Sequence, residues 1–321
     1  MQILSAKENT PKLSVVTPSF NQGRFLEECI DSVLSQGYPK LEYLIIDGGS
    51  TDNSVEIIKK YDKYLTYWIS KKDNGQADAI NKGFRKATGV IVSWLNSDDF
   101  LLPMALKNIA ESYIKNPRAP FHYGNGYRGD INGNKISRYF EKGTVCFNYK
   151  AMLLGLNYIL QPSAFIRRSS LINICYLNTS LHYGMDSDLW LNLAKTGDPQ
   201  PIADCLSVSR EYGETKTSMG SFARVEELRL IAEKHSDHPL TPGTLLYFLD
   251  TLFSFVKDGD SAFPPEFTED IEEFWRRSSK ILLTIGAGED GIPLKTLKNE
   301  ADGRILEKLM QNIDGFWSRR G

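Results

Sequence analysis

Between Leu13 and Lys115 the sequence repeats one unit: a short apolar run, a polar loop, then a segment with helical spacing. Strands separated by crossover helices pair in parallel, so this alternation constrains the fold more than any other feature. The apolar runs are Leu13–Thr17, closed by Pro18, then Leu41–Ile46, Tyr64–Ile69 and Val90–Leu95. Between Phe25 and Ser35, residues Leu26, Cys29, Ile30, Val33 and Leu34 fall on one helical face, and Ala77, Ile80, Phe84 and Ala87 do the same ahead of Gly89. Asn53, followed by Glu56, predicts the cap of a helix reaching about Tyr61, and another helix runs from Pro103 to about Lys115. The expected fold class is therefore α/β, with a mostly parallel twisted sheet flanked by helices.

The second half reads differently. Phe121–Gly129 and the KISRYF segment flank an Asn132-Gly133 turn and predict a hairpin. Gln161–Arg168 predicts a strand and Met185–Lys195 a helix. Beyond about Glu226 the spacing is helical, with breaks at Pro242-Gly243 and Pro264-Pro265. A chain of 321 residues suggests about two domains. We place them at 1–225 and 226–321, the second a helical appendage. Its most apolar run, Leu245–Val256, is interrupted by Asp250 and reads as a buried helix of a bundle rather than one lying in a membrane interface.

Composition excludes several classes of function. Lys and Arg number 38 against 40 Asp and Glu, for a net charge of −2, and no basic block exceeds two residues. Nucleic-acid binding through counterion release needs a concentrated basic face, so no nucleic-acid partner is expected. The four cysteines and four histidines show neither CxxC nor metal-ligand spacing, which argues against zinc and against a disulfide framework. No apolar run reaches the length of a membrane span, and Met1–Thr10 lacks a signal-peptide core. A cytoplasmic protein is expected, with peripheral contact at the inner face of the membrane left open.

Carboxylates at strand ends carry the chemistry. Asp47 closes one apolar strand and Asp98-Asp99 another, and parallel strands bring such ends to one rim. Adjacent carboxylates repel unless a positive group joins them. A hard divalent cation held by one or two carboxylates plus substrate phosphates meets that need, while a surface turn with side-chain to backbone hydrogen bonds is the plain alternative. Asp186 and Asp188 open a helix anchored by Leu189, Trp190 and Leu193. They read either as first-turn residues satisfying free N–H groups or as a general base aimed into a cleft. Gly48-Gly49 and Gly75 read as turn residues with positive φ. Neither GxGxxG, GxxxxGK[ST] nor GxSxG occurs, so the dinucleotide, P-loop and Ser-nucleophile readings lack support.

Four ordered blocks then carry a resemblance: SVVTPSFNQGRFLEECIDSVLSQGYPKLEYLIIDGGSTDNSVEII, DNGQADAINKGFRKATGVIVSWLNSDDFLLP, QPSAFIRRS and MDSDLWLNLA. Over about Leu13 to Gly220 the chain resembles a family 2, inverting glycosyltransferase of GT-A fold, of the bacterial cell-surface polysaccharide type. The resemblance implies a nucleotide-sugar-binding half at about 13–100 and an acceptor half at about 101–225. It implies that Thr17, Pro18 and Phe20 pack on the donor's base and ribose, and that Asp47 hydrogen-bonds the base, commonly uracil. Asp73, Gly75 and Asp78 would line the nucleotide and sugar pocket. Asp98 and Asp99, in a DxD-type motif, would contact the donor and hold Mg²⁺ or Mn²⁺, and Asp186 would be the catalytic base. Three positions depart from the common pattern: Asn96 replaces the first acid of the DxD-type motif, Gly48 the second acid of an Asp-Asp pair, and Met185 an acid preceding the base.

The implied partners are a nucleotide-sugar donor, commonly a UDP-sugar, and a saccharide or lipid-linked acceptor. Two other readings compete. A nucleotidyltransferase would want a Gly-rich, basic loop after the first strand, where this chain has TPSFNQG. A non-catalytic scaffold with a decayed transferase fold would have no reason to keep Asp47, Asp98, Asp99 and Asp186 together.

Overall fold

β1 (Leu13–Ser19), buried along its whole length, is the centre of a four-stranded parallel array. In a computed structural model of the chain, the described residues are 10–141, 143–155, 157–213 and 222–236, with Thr241, Gly243, Thr244, Tyr247 and Phe248 beyond them. The parallel array is built by α1 (Gly23–Leu34), β2 (Leu41–Asp47), α2 (Ser54–Lys60), β3 (Tyr67–Ser70), α3 (Gln76–Lys86) and β4 (Ile91–Trp94). β1 pairs with β2 on one side and β4 on the other, and β3 lies outside β2. The alternation of apolar runs and helical stripes thus yields the expected parallel sheet. α1 buries Phe25, Leu26, Cys29, Ile30 and Val33, the face that its spacing predicts.

Pro18 sits within this central strand without breaking it. The ladder to β4 ends with the Leu95 N–H donating to the Val16 carbonyl, so the N–H that proline lacks falls where no β4 partner remains. The expected Asn53 cap is corrected. Asn53 makes no side-chain cap bond; instead Asp52 Oδ1 accepts the Ser54 N–H at 3.0 Å and its Oδ2 the Gly23 N–H at 2.8 Å, which ties the starts of α1 and α2 together. The strand expected from Tyr64 begins at Tyr67, after a single 3₁₀ turn at Asp62–Tyr64.

Beyond β4 the chain forms β5 (Phe100–Leu101), α4 (Ala105–Lys115), β6 (Phe121–Gly129), β7 (Lys135–Arg138), α5 (Tyr149–Leu153), β8 (Ala164–Arg167), α6 (Arg168–Asn173), α7 (Met185–Ala194), β9 (Gln200–Arg210) and α8 (Phe222–Ser236). The sheet order is β3-β2-β1-β4-β8-β6-β9-β5, with β7 paired to β6. β8 runs antiparallel to β4 and β6, whereas β9 runs parallel to β6 and antiparallel to β5. The predicted hairpin is β6–β7; the Asp130 carboxylate accepts the N–H groups of Asn132 and Asn134 in its turn. β9 has no counterpart in the sequence reading, and Gln161–Ser163 is a 3₁₀ turn ahead of the shorter β8.

The described residues fall into two compact units, those within 1–147 and 159–212 and those within 148–158 and 213–321. All nine strands and α7 lie in the first. In the second, α5 is capped by Asn148, whose side chain accepts the Ala151 N–H, and α8 covers the start of the region expected to be helical. Of the Leu245–Val256 run only Tyr247 and Phe248 are described, and the Pro264-Pro265 break lies outside the described residues. Among the described residues no helix is long and apolar enough to cross a membrane.

At the end of the sheet where the parallel strands begin, Glu42 is buried and gathers four donors. Its oxygens accept the Ser14 hydroxyl at 2.5 Å, the Thr88 N–H at 2.7 Å, the Thr88 hydroxyl at 2.9 Å and Lys12 Nζ at 2.9 Å. Burial alone would raise its pKa, but these hydrogen bonds outweigh it and bring the carboxyl down to about 2. The opposite rim, where the strands end, is open to loops.

Candidate active site

The loops after β1, β2, β3 and β4 leave the same rim of the parallel sheet. Asp47, the last residue of β2, has 0% exposure. Its Oδ1 accepts the Ser50 hydroxyl at 2.5 Å, and its Oδ2 accepts the N–H groups of Gly49 and Ser50 and the Ser70 hydroxyl at 2.6 Å. The carboxylate therefore organises the exit of β2 and ties it to β3. Thr17 is also buried, its hydroxyl 3.0 Å from that of Tyr43, and Pro18 is buried beside it.

Phe20, by contrast, is 59% exposed at the mouth of the loop after β1. A Cβ on Gly48 would stand 2.8 Å from Asp73 Oδ2 and 3.3 Å from the Phe20 ring, so a side chain at 48 would push Asp73 aside and crowd the Phe20 ring. Gly49 (φ 87°) and Gly75 (φ 103°) hold the predicted positive φ, while Gly48 does not; close approach is what requires glycine there. Asp73 Oδ1 accepts the Gly75 N–H at 2.9 Å. Asp78, in the first turn of α3, pairs with Lys82 at 2.9 Å and accepts the Asn74 N–H at 3.0 Å; Lys82 chiefly, then that N–H, hold its carboxyl below the usual range.

The two acids after β4 have different surroundings. Asp99 is 3% exposed: Oδ1 accepts the Arg210 backbone N–H at 3.0 Å, and Oδ2 lies 3.3 Å from the Asn96 amide nitrogen. Burial, reinforced by the charge of Asp98, pushes Asp99 well above the ordinary carboxylate range. Asp98 is half-buried. Its Oδ2 accepts the Tyr212 hydroxyl at 2.9 Å, and its Oδ1 carries no hydrogen bond among the described residues. Burial and then the charge of Asp98 push Tyr212 up to about 12, so the phenol stays a donor at neutral pH.

Arg210, at the end of β9, braces this loop from beneath. Its guanidinium donates to the Asp98 carbonyl, pairs with Glu28 of α1, and lies 5.0 Å from the ring centroids of both Phe25 and Phe100. Arg210 and Tyr212 were not singled out from sequence. The available signal was the alternation of Ile202, Leu206, Val208 and Arg210, all buried on one face of β9.

A row of amides crosses the same rim. Gln76 Nε2 donates to Asn96 Oδ1 at 2.7 Å, Asn96 Nδ2 to Gln161 Oε1 at 3.1 Å, and Gln161 Nε2 to the Trp94 carbonyl at 2.9 Å. α7 contributes Asp186 and Asp188 in its first turn. Leu189, Trp190 and Leu193 are buried and anchor the helix as expected. Asp188 is buried too, with Oδ2 accepting from Asn192 at 3.1 Å, whereas Asp186 is half-buried and accepts the Ser187 N–H at 2.8 Å. The cap position belongs to Gly184, which has no side chain to offer.

No cluster of three or more His, Cys, Asp or Glu suited to a metal occurs among the described residues. One half-buried carboxylate with an uncommitted oxygen fits a hard cation completed by donor phosphates, and does not fit an all-protein cage.

Residues 14–174, half of the chain, match the family model described as Glycosyl transferase family 2. The chain belongs to that family. Over 131 residues it is 35% identical to an uncharacterized glycosyltransferase of Haemophilus influenzae, covering 40% of this chain and 52% of the relative. The chain thus spans about half the length of that relative. Among solved structures it is similar to S. aureus TarS 1–349 in complex with UDP-GlcNAc, with a TM-score of 0.56 and 17% identity, covering 95% of this chain and 92% of that one. It is also similar to a mannosyltransferase from Pyrobaculum calidifontis in complex with GDP-Man and Mn²⁺, with a TM-score of 0.50 and 16% identity over 94% and 87% of the two chains. At these identities the likeness shows a shared fold, the GT-A type expected from the sequence blocks.

Proposed function

We propose that the chain is an inverting glycosyltransferase that moves a sugar from a UDP-sugar to a saccharide or lipid-linked acceptor in cell-surface polysaccharide synthesis, at the cytoplasmic side. The observation that carries this reading is the gathering, on one strand-end rim, of the exposed Phe20, of Asp73 set close against Gly48, and of the half-buried Asp98. Phe20 offers an exposed ring face for the base and Asp73 a carboxylate for donor hydroxyls. Thr17, Pro18 and Asp47 shape that rim from behind, through a buried strand end and a turn, and Gly75 and Asp78 hold the start of α3 beside it. In TarS and in the Pyrobaculum enzyme a GT-A fold is found with UDP-GlcNAc and with GDP-Man and Mn²⁺, which supports a nucleotide-sugar donor and a divalent ion here.

Asp98 is the residue that would hold Mg²⁺ or Mn²⁺, and Asp99, fixed by the Arg210 N–H, aims it. When bound, such an ion neutralises charge developing on the leaving diphosphate. On the acceptor side, Asp186 takes the proton of the attacking hydroxyl, and a single displacement at the anomeric carbon inverts its configuration with no covalent enzyme intermediate. Residues at about 13–100 serve the donor and those up to about 225 the acceptor; most of 226–321, expected to be a helical appendage, lies outside the described residues. The test is a screen of UDP-glucose, UDP-galactose, UDP-GlcNAc and GDP-mannose for nucleotide release with Mn²⁺, with Mg²⁺ and with EDTA. One UDP-sugar should be hydrolysed slowly, and only with metal. Release that persists in EDTA overturns the metal role, and no binding of UDP or any donor overturns the reading as a whole.

A further inference from the structure

The amide row explains why position 96 carries Asn, and it gives Gln161 a task. A backbone carbonyl can only accept a hydrogen bond, so the Trp94 carbonyl fixes the Gln161 amide with its NH₂ turned toward it. Gln161 Oε1 must then face residue 96, 3.1 Å from Asn96 Nδ2. The second Nδ2 hydrogen is directed to Asp99 Oδ2 at 3.3 Å, and Asn96 Oδ1 accepts from Gln76 at 2.7 Å. A carboxylate at 96 would place an acceptor against the Gln161 oxygen and a second charge against Asp99. Rotating the Gln161 amide to donate would only set its oxygen against the Trp94 carbonyl. The backbone that carries Gln161 is held in place: Pro162 and Ser163 are buried, and the Ser163 hydroxyl bonds the Asn125 carbonyl at 2.8 Å and lies 2.6 Å from the Ser207 hydroxyl.

We propose that Gln161 is a positioning residue of the donor site, which selects an amide over a carboxylate at position 96 and through Asn96 holds the Asp98-Asp99 loop in place. The inference rests on the donor reading above for its functional consequence. In these terms the site is built to operate with an amide at the first position of its DxD-type motif.

The experiment is a cycle of Asn96→Asp, Gln161→Met and the double variant, in the full-length chain, read by calorimetric titration of UDP in Mn²⁺ and by chemical unfolding without nucleotide. Asn96→Asp should weaken UDP binding by about tenfold in the native background, the scale of one polar contact turned unfavourable, and by less than about threefold once Gln161→Met has removed the fixed acceptor. Recovery of affinity by a second substitution is not expected of a residue that only fills space. Equal weakening in both backgrounds overturns the proposal. If the native protein fails to bind UDP, the donor reading falls instead, and the unfolding cycle still decides: Asn96→Asp must destabilise the native background more than the Gln161→Met background, and equal destabilisation overturns the selection of the amide.

Discussion

Trp94 and Trp190 stack with ring centroids 5.8 Å apart and planes 14° from parallel. Trp94 ends the strand that carries the acidic loop, and Trp190 lies one turn beyond Asp186 on α7, so one buried contact joins the two halves of the candidate site. Both rings are fully buried, and Phe121 packs on Trp190 at 5.0 Å. Trp190→Ala should cost about 3–5 kcal/mol, as expected of a deleted core aromatic. Denaturant unfolding followed by far-UV circular dichroism measures it, and a loss under about 1 kcal/mol would mean that the stack does not couple these elements.

Asp98 and Asp99 should part company on mutation. Asp98→Ala removes an acid with an uncommitted oxygen and relieves its repulsion with Asp99, so the thermal midpoint should hold or rise while transfer is abolished. Asp99→Ala leaves the Arg210 N–H without its acceptor and should cost about 1–3 kcal/mol in stability besides the loss of activity. Thermal melts set beside donor-hydrolysis rates separate the two. Activity of the double variant in EDTA-treated buffer would refute both assignments.

Asp186→Asn keeps the shape of the side chain and its acceptor for the Ser187 N–H but removes the proton acceptor. Turnover should fall by roughly 10²-fold or more, with UDP affinity little changed. If Asp186 serves only the first turn of α7, turnover on this variant stays near normal.

Acid should weaken the sheet through Glu42. Its pKa is depressed in the folded state, to about 2 from an ordinary 4.5, so its contribution is complete above about 4.5 and is lost as pH falls toward 2. Glu42→Gln should lower the midpoint of unfolding at neutral pH and flatten its decline between pH 4.5 and 2. A decline as steep as that of the native chain would assign the acid sensitivity elsewhere.

The parallel half was legible because its strands are nearly unbroken apolar runs and its helices carry regular buried stripes, so the period shows in the local sequence even where the partner is distant, as for Leu13 of β1 beside Ile91 of β4. β9 was not. Pro201, Asp204, Ser207 and Ser209 interrupt its apolar pattern, and what makes it a strand is pairing with β6, some eighty residues earlier by number, from His122↔Gln200 onward. The acids of the site could be read as types and positions, but their states could not. Asp47 and Asp98 look alike in sequence, yet one has both oxygens committed to a turn and the other keeps one uncommitted. That difference depends on Ser70 and Tyr212, which no local spacing connects to either acid.

The bracing of the acidic loop by β9 also sets an order of assembly. The Arg210 N–H reaches back 111 residues to Asp99, the Tyr212 hydroxyl 114 residues to Asp98, and the Arg210 guanidinium 182 residues to Glu28. On a ribosome, the strands of the parallel array emerge long before these partners exist, and they can pair while the loop after β4 still has nothing to hold it. Closing contacts of such long range is the slow part of folding. The chain is therefore expected to acquire its parallel array before its acidic loop, and a nascent chain halted before residue 210 would carry every acid of the candidate site without the contacts that distinguish them.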